Sequence, residues 1–151
     1  MLASLQQLHT SLPSPETISV LVVSPNKEDY ASVARILRHG QWRITRACSC
    51  QEAREMAKEQ DFAVILCERD LPDGNWKDLM SEVSSASNPP AVLVISRYAD
   101  DGLWSEVLDT GGYDVLPKPF DSGELTRVIG MAWRHSLTTW LQRKNVASAF
   151  A

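Results

Sequence analysis

Apolar, β-branched runs alternate with helix-period stretches five times along this chain, a rhythm that only parallel strands joined by crossover helices satisfy well. The first strand reads Ile18 to Val23. The helix after it carries Tyr30, Val33, Ala34 and Leu37 on one stripe before Gly40 ends it. Trp42 to Ala47 reads as a second strand. Ser49 and Glu52 then have capping-box spacing ahead of a helix with Ala53, Met56 and Ala57 inward. Phe62 to Cys67 is uninterruptedly apolar, as a strand covered on both faces should be, and the turn Leu71-Pro72-Asp73-Gly74 breaks it. Trp76, Leu79, Met80 and Val83 form a third helical stripe, followed by the polar loop Ser84 to Pro90. Ala91 to Ile95 is the fourth strand. Asp100 or Asp101 caps a helix with Leu103, Val107 and Leu108 that ends at Gly111-Gly112, and Tyr113 to Leu116 is a short fifth strand. Asp121 and Glu124 repeat the capping spacing before a last helix with Leu125, Val128, Ile129 and Ala132 inward.

Five strands and five helices in this order predict an α/β fold: a doubly wound, five-stranded parallel sheet of the flavodoxin type in three α/β/α layers, with an extended last helix. The length of 151 residues and a 44% hydrophobic, 23% charged composition fit one globular domain, not a disordered tail or a multidomain enzyme. A net charge of −4 gives no electrostatic pull towards nucleic acid or anionic lipid. No apolar run is long enough to span a bilayer, and the first fifteen residues lack the basic start and apolar core of a secretory signal, so a cytoplasmic location is expected. Three cysteines, Cys48, Cys50 and Cys67, make neither a disulfide framework nor a zinc pattern and read as small thiols in a reducing compartment. His9, His39 and His135 fall on different elements, with no metal or catalytic role expected.

In this fold the working crevice lies at the carboxyl ends of the strands. The residues delivered there are Ser24 and Pro25 after strand one, Glu68 after strand three, Ser96 after strand four and Lys118 after strand five. Together with Glu68-Arg69-Asp70-Leu71-Pro72-Asp73-Gly74 and Lys118-Pro119-Phe120, they give Thr17 to Arg134 a sequence that resembles the bacterial response-regulator receiver domain, the CheY-like family. The resemblance implies a domain of two-component phosphorelay signalling that takes a phosphoryl group from a histidine kinase onto an aspartate. Mg²⁺ held by an acid pair after the first strand assists that transfer, and the Lys-Pro peptide is cis.

The chain departs from that pattern where the chemistry is done. Glu68 stands at the phosphoacceptor position, Ser24 and Pro25 replace the acid pair, and Val115 occupies the position of an aromatic switch. Ser96 and Lys118, which meet the phosphoryl oxygens in the family, remain. Three carboxylates with one lysine would carry about −2 and call for a divalent cation, whereas Glu68 and Lys118 alone cancel. Pro25 offers neither a side-chain ligand nor a backbone donor, and a phosphoryl transfer without Mg²⁺ lacks its main electrostatic support. Glutamate also reaches ~1.5 Å further than aspartate, into the space of the phosphoryl group. The expectation is an atypical pseudo-receiver, not an enzyme, without a cofactor and with Mg²⁺ binding in doubt. The alternative is a phosphorylatable receiver with a relocated metal site drawing on Glu28, Asp29 or Asp70; the position of Glu28 and Asp29 in the first helix is expected to aim both away from the strand edge. A flavin-binding or other small-ligand domain is disfavoured, because Ser24-Pro25-Asn26-Lys27 offers too few free amides for a phosphate.

The division expected is an N-terminal extension over 1–16, the receiver-like domain over 17–134, and a helical extension and tail over 135–151, with Val146 to Ala151 as linker or frayed end. Past Ala132 the helical pattern continues to about Lys144. Trp133, Leu137 and Trp140 form a second stripe about 90° from the core face at ~100° per residue. That stripe, with Trp104 on the fourth helix, is expected to meet a signalling partner such as a histidine kinase, an output protein or a second copy, or else Leu2, Leu5 and Leu8 of the N-terminal extension. Nucleic acid and membrane are not expected partners.

Overall fold

A computed structural model describes residues 17–150, with side chains through residue 146. The expected N-terminal extension, with Leu2, Leu5, Leu8 and His9, lies outside the described residues. Five strands build the sheet: β1 (Ile18–Val23), β2 (Trp42–Ala47), β3 (Val64–Glu68), β4 (Ala91–Ser96) and β5 (Asp114–Pro117). They lie in the order β2-β1-β3-β4-β5 and every pair is parallel, the flavodoxin-like doubly wound order. The helices are α1 (Lys27–Leu37), α2 (Cys50–Glu59), α3 (Trp76–Val83), α4 (Asp101–Thr110) and α5 (Ser122–Phe150). A two-residue antiparallel ladder, Asp70–Leu71 with Gly74–Asn75, joins β3 to α3.

The strands at the sheet centre are buried almost throughout, because helices cover both faces. On one face Leu21, Val23, Ile65, Val92 and Val94 pack with Ala53, Leu79, Met80, Leu103 and Val107 of α2, α3 and α4. On the other, Val20, Val22, Leu66, Leu93 and Leu116 pack with Val33 and Leu37 of α1 and Leu125, Val128 and Ile129 of α5. β3 begins at Val64, two residues later than its apolar pattern; Phe62 and Ala63 are buried as its lead-in.

The caps follow the sequence closely. Ser49 Oγ accepts from Glu52 N at 3.2 Å, while the Glu52 carboxylate accepts from Cys48 N. Asp100 accepts from Leu103 N, Asp121 accepts from Glu124 N, and Gly111 ends α4 with φ of 100°. One cap comes from afar: Asp73 accepts from Cys50 N at 2.8 Å and Gln51 N at 3.0 Å, tying the β3–α3 turn to the start of α2. Those backbone donors hold the Asp73 carboxyl below its ordinary range. All three cysteines are free, and burial pushes the Cys50 and Cys67 thiols up.

The last helix corrects two expectations. It runs on as helix to Phe150, so Val146 to Phe150 are no loose linker. Its second aromatic stripe is largely occupied within the chain. Trp133 meets Trp42 edge-on with ring centroids 6.4 Å apart, and Trp140 donates from Nε1 to the Pro89 carbonyl at 2.6 Å; both rings pack on the α1/α5 side of the core, and Leu137 between them is half-buried. The stripe's angular offset from the core carries it onto the edge strand β2 and the α3–β4 loop instead of into solvent.

Candidate functional site

The parallel register sets the carboxyl ends of β1, β3, β4 and β5 side by side, with Val23 opposite Cys67, Glu68 opposite Ile95 and Ser96 opposite Pro117. Glu68 leaves the end of β3, and Lys118 follows β5 with a cis Lys118–Pro119 peptide. The lysine turns back over the strand ends. Its Nζ stands 2.5 Å from Glu68 Oε2 and 2.9 Å from Asp29 Oδ2. The side chains of Lys118 and Asp29 are 9% and 7% exposed, that of Glu68 19%. Ser24 completes the group, its Oγ donating to Asp29 Oδ2 at 2.7 Å and accepting from Asn26 N at 3.1 Å. Glu68 Oε2 has the ion pair but no aligned hydrogen bond.

Asp29 is the correction to the expected site. The position assigned to it, facing away from the strand edge, is wrong, and the geometry of a helix start explains why. Asn26 caps α1 by accepting from Glu28 N, which makes Asp29 the third helical residue. A helical Cα–Cβ bond tilts towards the N-terminus, so this side chain leans back over the cap towards Ser24. Asp29 also lies four and eight residues before Val33 and Leu37, the buried residues of α1. The i, i+4, i+8 spacing of Asp29, Val33 and Leu37 is the signal in the sequence that places it inward. Glu28, by contrast, is exposed as expected.

The charge balance changes accordingly. Two carboxylates and one ammonium leave about −1 on the cluster, not the neutral pair expected from Glu68 and Lys118 alone. Burial pushes the Lys118 ammonium down, but its contacts with Glu68 and Asp29 outweigh that, and the net displacement is upward. Lys118 is therefore charged at any ordinary pH.

The other expected pocket residues divide. Ser96 is buried, but its Oγ accepts from Tyr98 N at 3.0 Å and its carbonyl accepts from Lys118 N, so it builds the turn that carries the lysine. Pro25 is exposed, and its carbonyl accepts from Arg46 Nη2 at 3.1 Å, a contact from β2 that no motif announced. Pro119 is likewise exposed. Val115 is buried among the residues of the α2–α4 side, opposite Val94. Trp104 is 49% exposed and donates from Nε1 to Asp114 at 3.2 Å; with Leu108 and Met131, both partly exposed, it lines a cleft of about 360 Å³ between α4, β5 and α5.

A divalent cation of the kind the resemblance implies needs several free oxygen donors. Here both inward carboxylates already hold an ammonium, Ser24 donates its proton to one of them, and Pro25 contributes no ligand. Among the described residues no group of three or more acidic, histidine or cysteine side chains converges as a cation site. Two carboxylates, each in contact with the ammonium, are fewer donors than a divalent cation takes. Nor is any described helix long and apolar enough to cross a membrane.

Residues 20–130 match the family model of the response regulator receiver domain. Among curated proteins, the chain is 26% identical over 121 residues to Transcriptional regulatory protein ZraR of Escherichia coli (strain K12), covering 80% of this chain and 27% of that protein. It is 31% identical over 88 residues to Response regulator protein PilR of Pseudomonas aeruginosa, covering 58% of this chain and 20% of that one. The chain thus spans less than a third of the length of either. Among solved structures, chemotaxis response regulator CheY4 of Vibrio cholerae superposes with a TM-score of 0.70 at 19% identity, over 77% of this chain and 98% of that one. The signal receiver domain of an HD domain-containing protein from Pseudomonas fluorescens Pf-5 gives 0.75 at 15% identity, over 85% and 95%. With the strand order and the family match in agreement, this chain belongs to the response regulator receiver domain family.

Proposed function

We propose that this two-component receiver domain is a pseudo-receiver: it signals through protein contacts and is not switched by phosphorylation of an acid at the end of β3. The observation that carries the reading is the Lys118 ammonium held between Asp29 and Glu68. In a working receiver the lysine meets the incoming phosphoryl oxygens and a cation offsets the charge of that group. Here the ammonium is engaged by two carboxylates, and no acid pair follows β1 to bring in a cation. Glu68, ~1.5 Å longer than aspartate, extends its carboxylate towards the space of the phosphoryl group, and Ser24 donates to the same Asp29 oxygen, Oδ2, that the ammonium contacts. The buried, aliphatic Val115 has a stiff χ1 and no hydroxyl to re-pair, which suits a domain held in one state. The domain is regulatory, with no catalytic step assigned to any residue, and it is proposed to work in the cytoplasm without a cofactor.

The partner is proposed to be a signalling protein, a histidine kinase or an output protein, that meets the α4–β5–α5 side where Trp104, Leu108 and Met131 are exposed. Neither nucleic acid nor membrane is proposed as a partner.

One observation favours the alternative, a phosphorylatable receiver. Asp29 brings a second carboxylate beside Glu68, and a cation that displaced Lys118 would find both. Incubation with acetyl phosphate and Mg²⁺, followed by intact mass spectrometry, separates the two readings. The pseudo-receiver stays unmodified. A phosphoryl adduct mapped to Glu68 or Asp70 would establish the alternative.

A further inference from the structure

The α3 and α5 helices both start beside the site, and at the opposite edge of the sheet α5 meets the loop that follows α3. The first follows Glu68 by way of the short ladder, with Trp76 N donating to Arg69 O at 3.1 Å; the second begins four residues after Lys118. They lie on opposite faces of the sheet, Leu79 and Met80 of α3 against one and Leu125 and Ile129 of α5 against the other. α3 ends at Val83 after ~12 Å of rise, whereas α5 continues and has risen ~27 Å by Trp140, more than the ~20 Å length of β4. There the long helix overshoots the sheet and is gripped by the loop that follows α3. Trp140 Nε1 donates to the Pro89 carbonyl at 2.6 Å and Arg143 Nη1 donates to the Ala86 carbonyl at 3.0 Å. The loop is itself anchored, Asn88 Nδ2 donating to Asp61 at 2.9 Å and Ala86 N to Val83 O at 3.2 Å.

These contacts are specific. An exposed helix extension needs no tertiary hydrogen bonds to persist once its turns are formed, yet two side chains three residues apart, on the same face, satisfy two carbonyls of one loop. Loop carbonyls are otherwise content with water, so the pairing orders the helix against the loop more than it rescues buried polar groups. The opposite side of the same segment, with Leu141 61% exposed, is left free.

We propose that Trp140 and Arg143 form a bracket through which the α3–β4 loop sets the direction of the projecting half of α5, so that the Glu68–Lys118 site and the far end of α5 are coupled around the lower edge of the sheet. The proposed route is one of connectivity: Glu68 leads through the ladder into α3, Lys118 leads into α5, and the bracket joins α5 to the loop after α3. The bracket itself stands on the hydrogen bonds above; its coupling to the site rests on the ion-paired reading of Lys118.

Hydrogen exchange followed by mass spectrometry on the full chain tests both parts. Trp140→Phe keeps the ring and removes the donor, and Arg143→Gln removes the charge from an exposed position. In the double variant, amides of residues 84–90 and 137–146 should exchange about 5- to 30-fold faster, with β1 and β3 unchanged. Unchanged exchange in those two segments would overturn the bracket. Lys118→Met should speed exchange over 84–90 although the loop lies at the other edge of the sheet; no change there would overturn the coupling while leaving the bracket standing. A phosphoryl adduct in the acetyl phosphate experiment would instead count against the reading of the site alone, so the two failures are distinguishable.

Discussion

Lys118 is the residue on which the site turns, and its replacement has a larger consequence than that of either acid. Removing the ammonium by Lys118→Met leaves Asp29 and Glu68 facing each other with no counter-charge, which should cost about 3–5 kcal/mol in urea denaturation. Glu68→Gln should cost only about 1 kcal/mol, because Asp29 still holds the lysine. The pH dependence follows from the upward displacement of Lys118. A lysine whose folded pKa lies above its unfolded value contributes stability that is complete below about pH 10.4 and is lost as pH rises through the folded value. The wild type should therefore show an alkaline loss of stability that Lys118→Met lacks. Asp73 gives the opposite sign. Its carboxyl is held below the ordinary 3.8 by the Gln51 and Cys50 amides, so its contribution is present above that value and is lost as pH falls towards the folded pKa. Acid melts of Asp73→Asn should lack that part of the wild type's acid sensitivity. Glu68 and Lys118 were legible in the sequence because strand ends in a parallel sheet converge whatever the side chains are. Asp29 was legible only through its spacing with Val33 and Leu37 at i, i+4, i+8, which sets it on the buried face of α1.

At the scale of elements, sequence reading works best where burial is two-sided. β1, β3 and β4 are apolar runs because both faces are covered, and all three appear where their patterns place them, β3 with its start moved inward to Val64. The last helix shows what periodicity alone leaves out. Its pattern gives the stripe Trp133, Leu137 and Trp140 but not what the stripe meets, since Trp42 and Pro89 come from elements distant in sequence. The aromatic rings are occupied within the chain, so the substitutions Trp133→Ala and Trp140→Ala together should lower thermal stability, by about 3 kcal/mol for two half-buried rings, and leave the mass measured by light scattering unchanged. A fall in mass with stability retained would instead assign the stripe to a contact between copies.

Across the whole molecule, the sheet brings to one edge an ammonium and two carboxylates in mutual contact. The family's pattern sets three acids against one lysine and calls for a cation; here the ammonium from β5 is held by one acid from β3 and another from α1. The rest of the fold is that of the family, which leaves its α4–β5–α5 side, with Trp104 exposed, available to a partner. Titration calorimetry of the intact chain with MgCl₂ tests the proposed ion-paired site most directly. With Lys118 seated between Asp29 and Glu68, no saturable heat is predicted up to millimolar magnesium. Saturable uptake in the wild type that disappears in Glu68→Gln would mean that the ammonium gives way to the cation, and would contradict it.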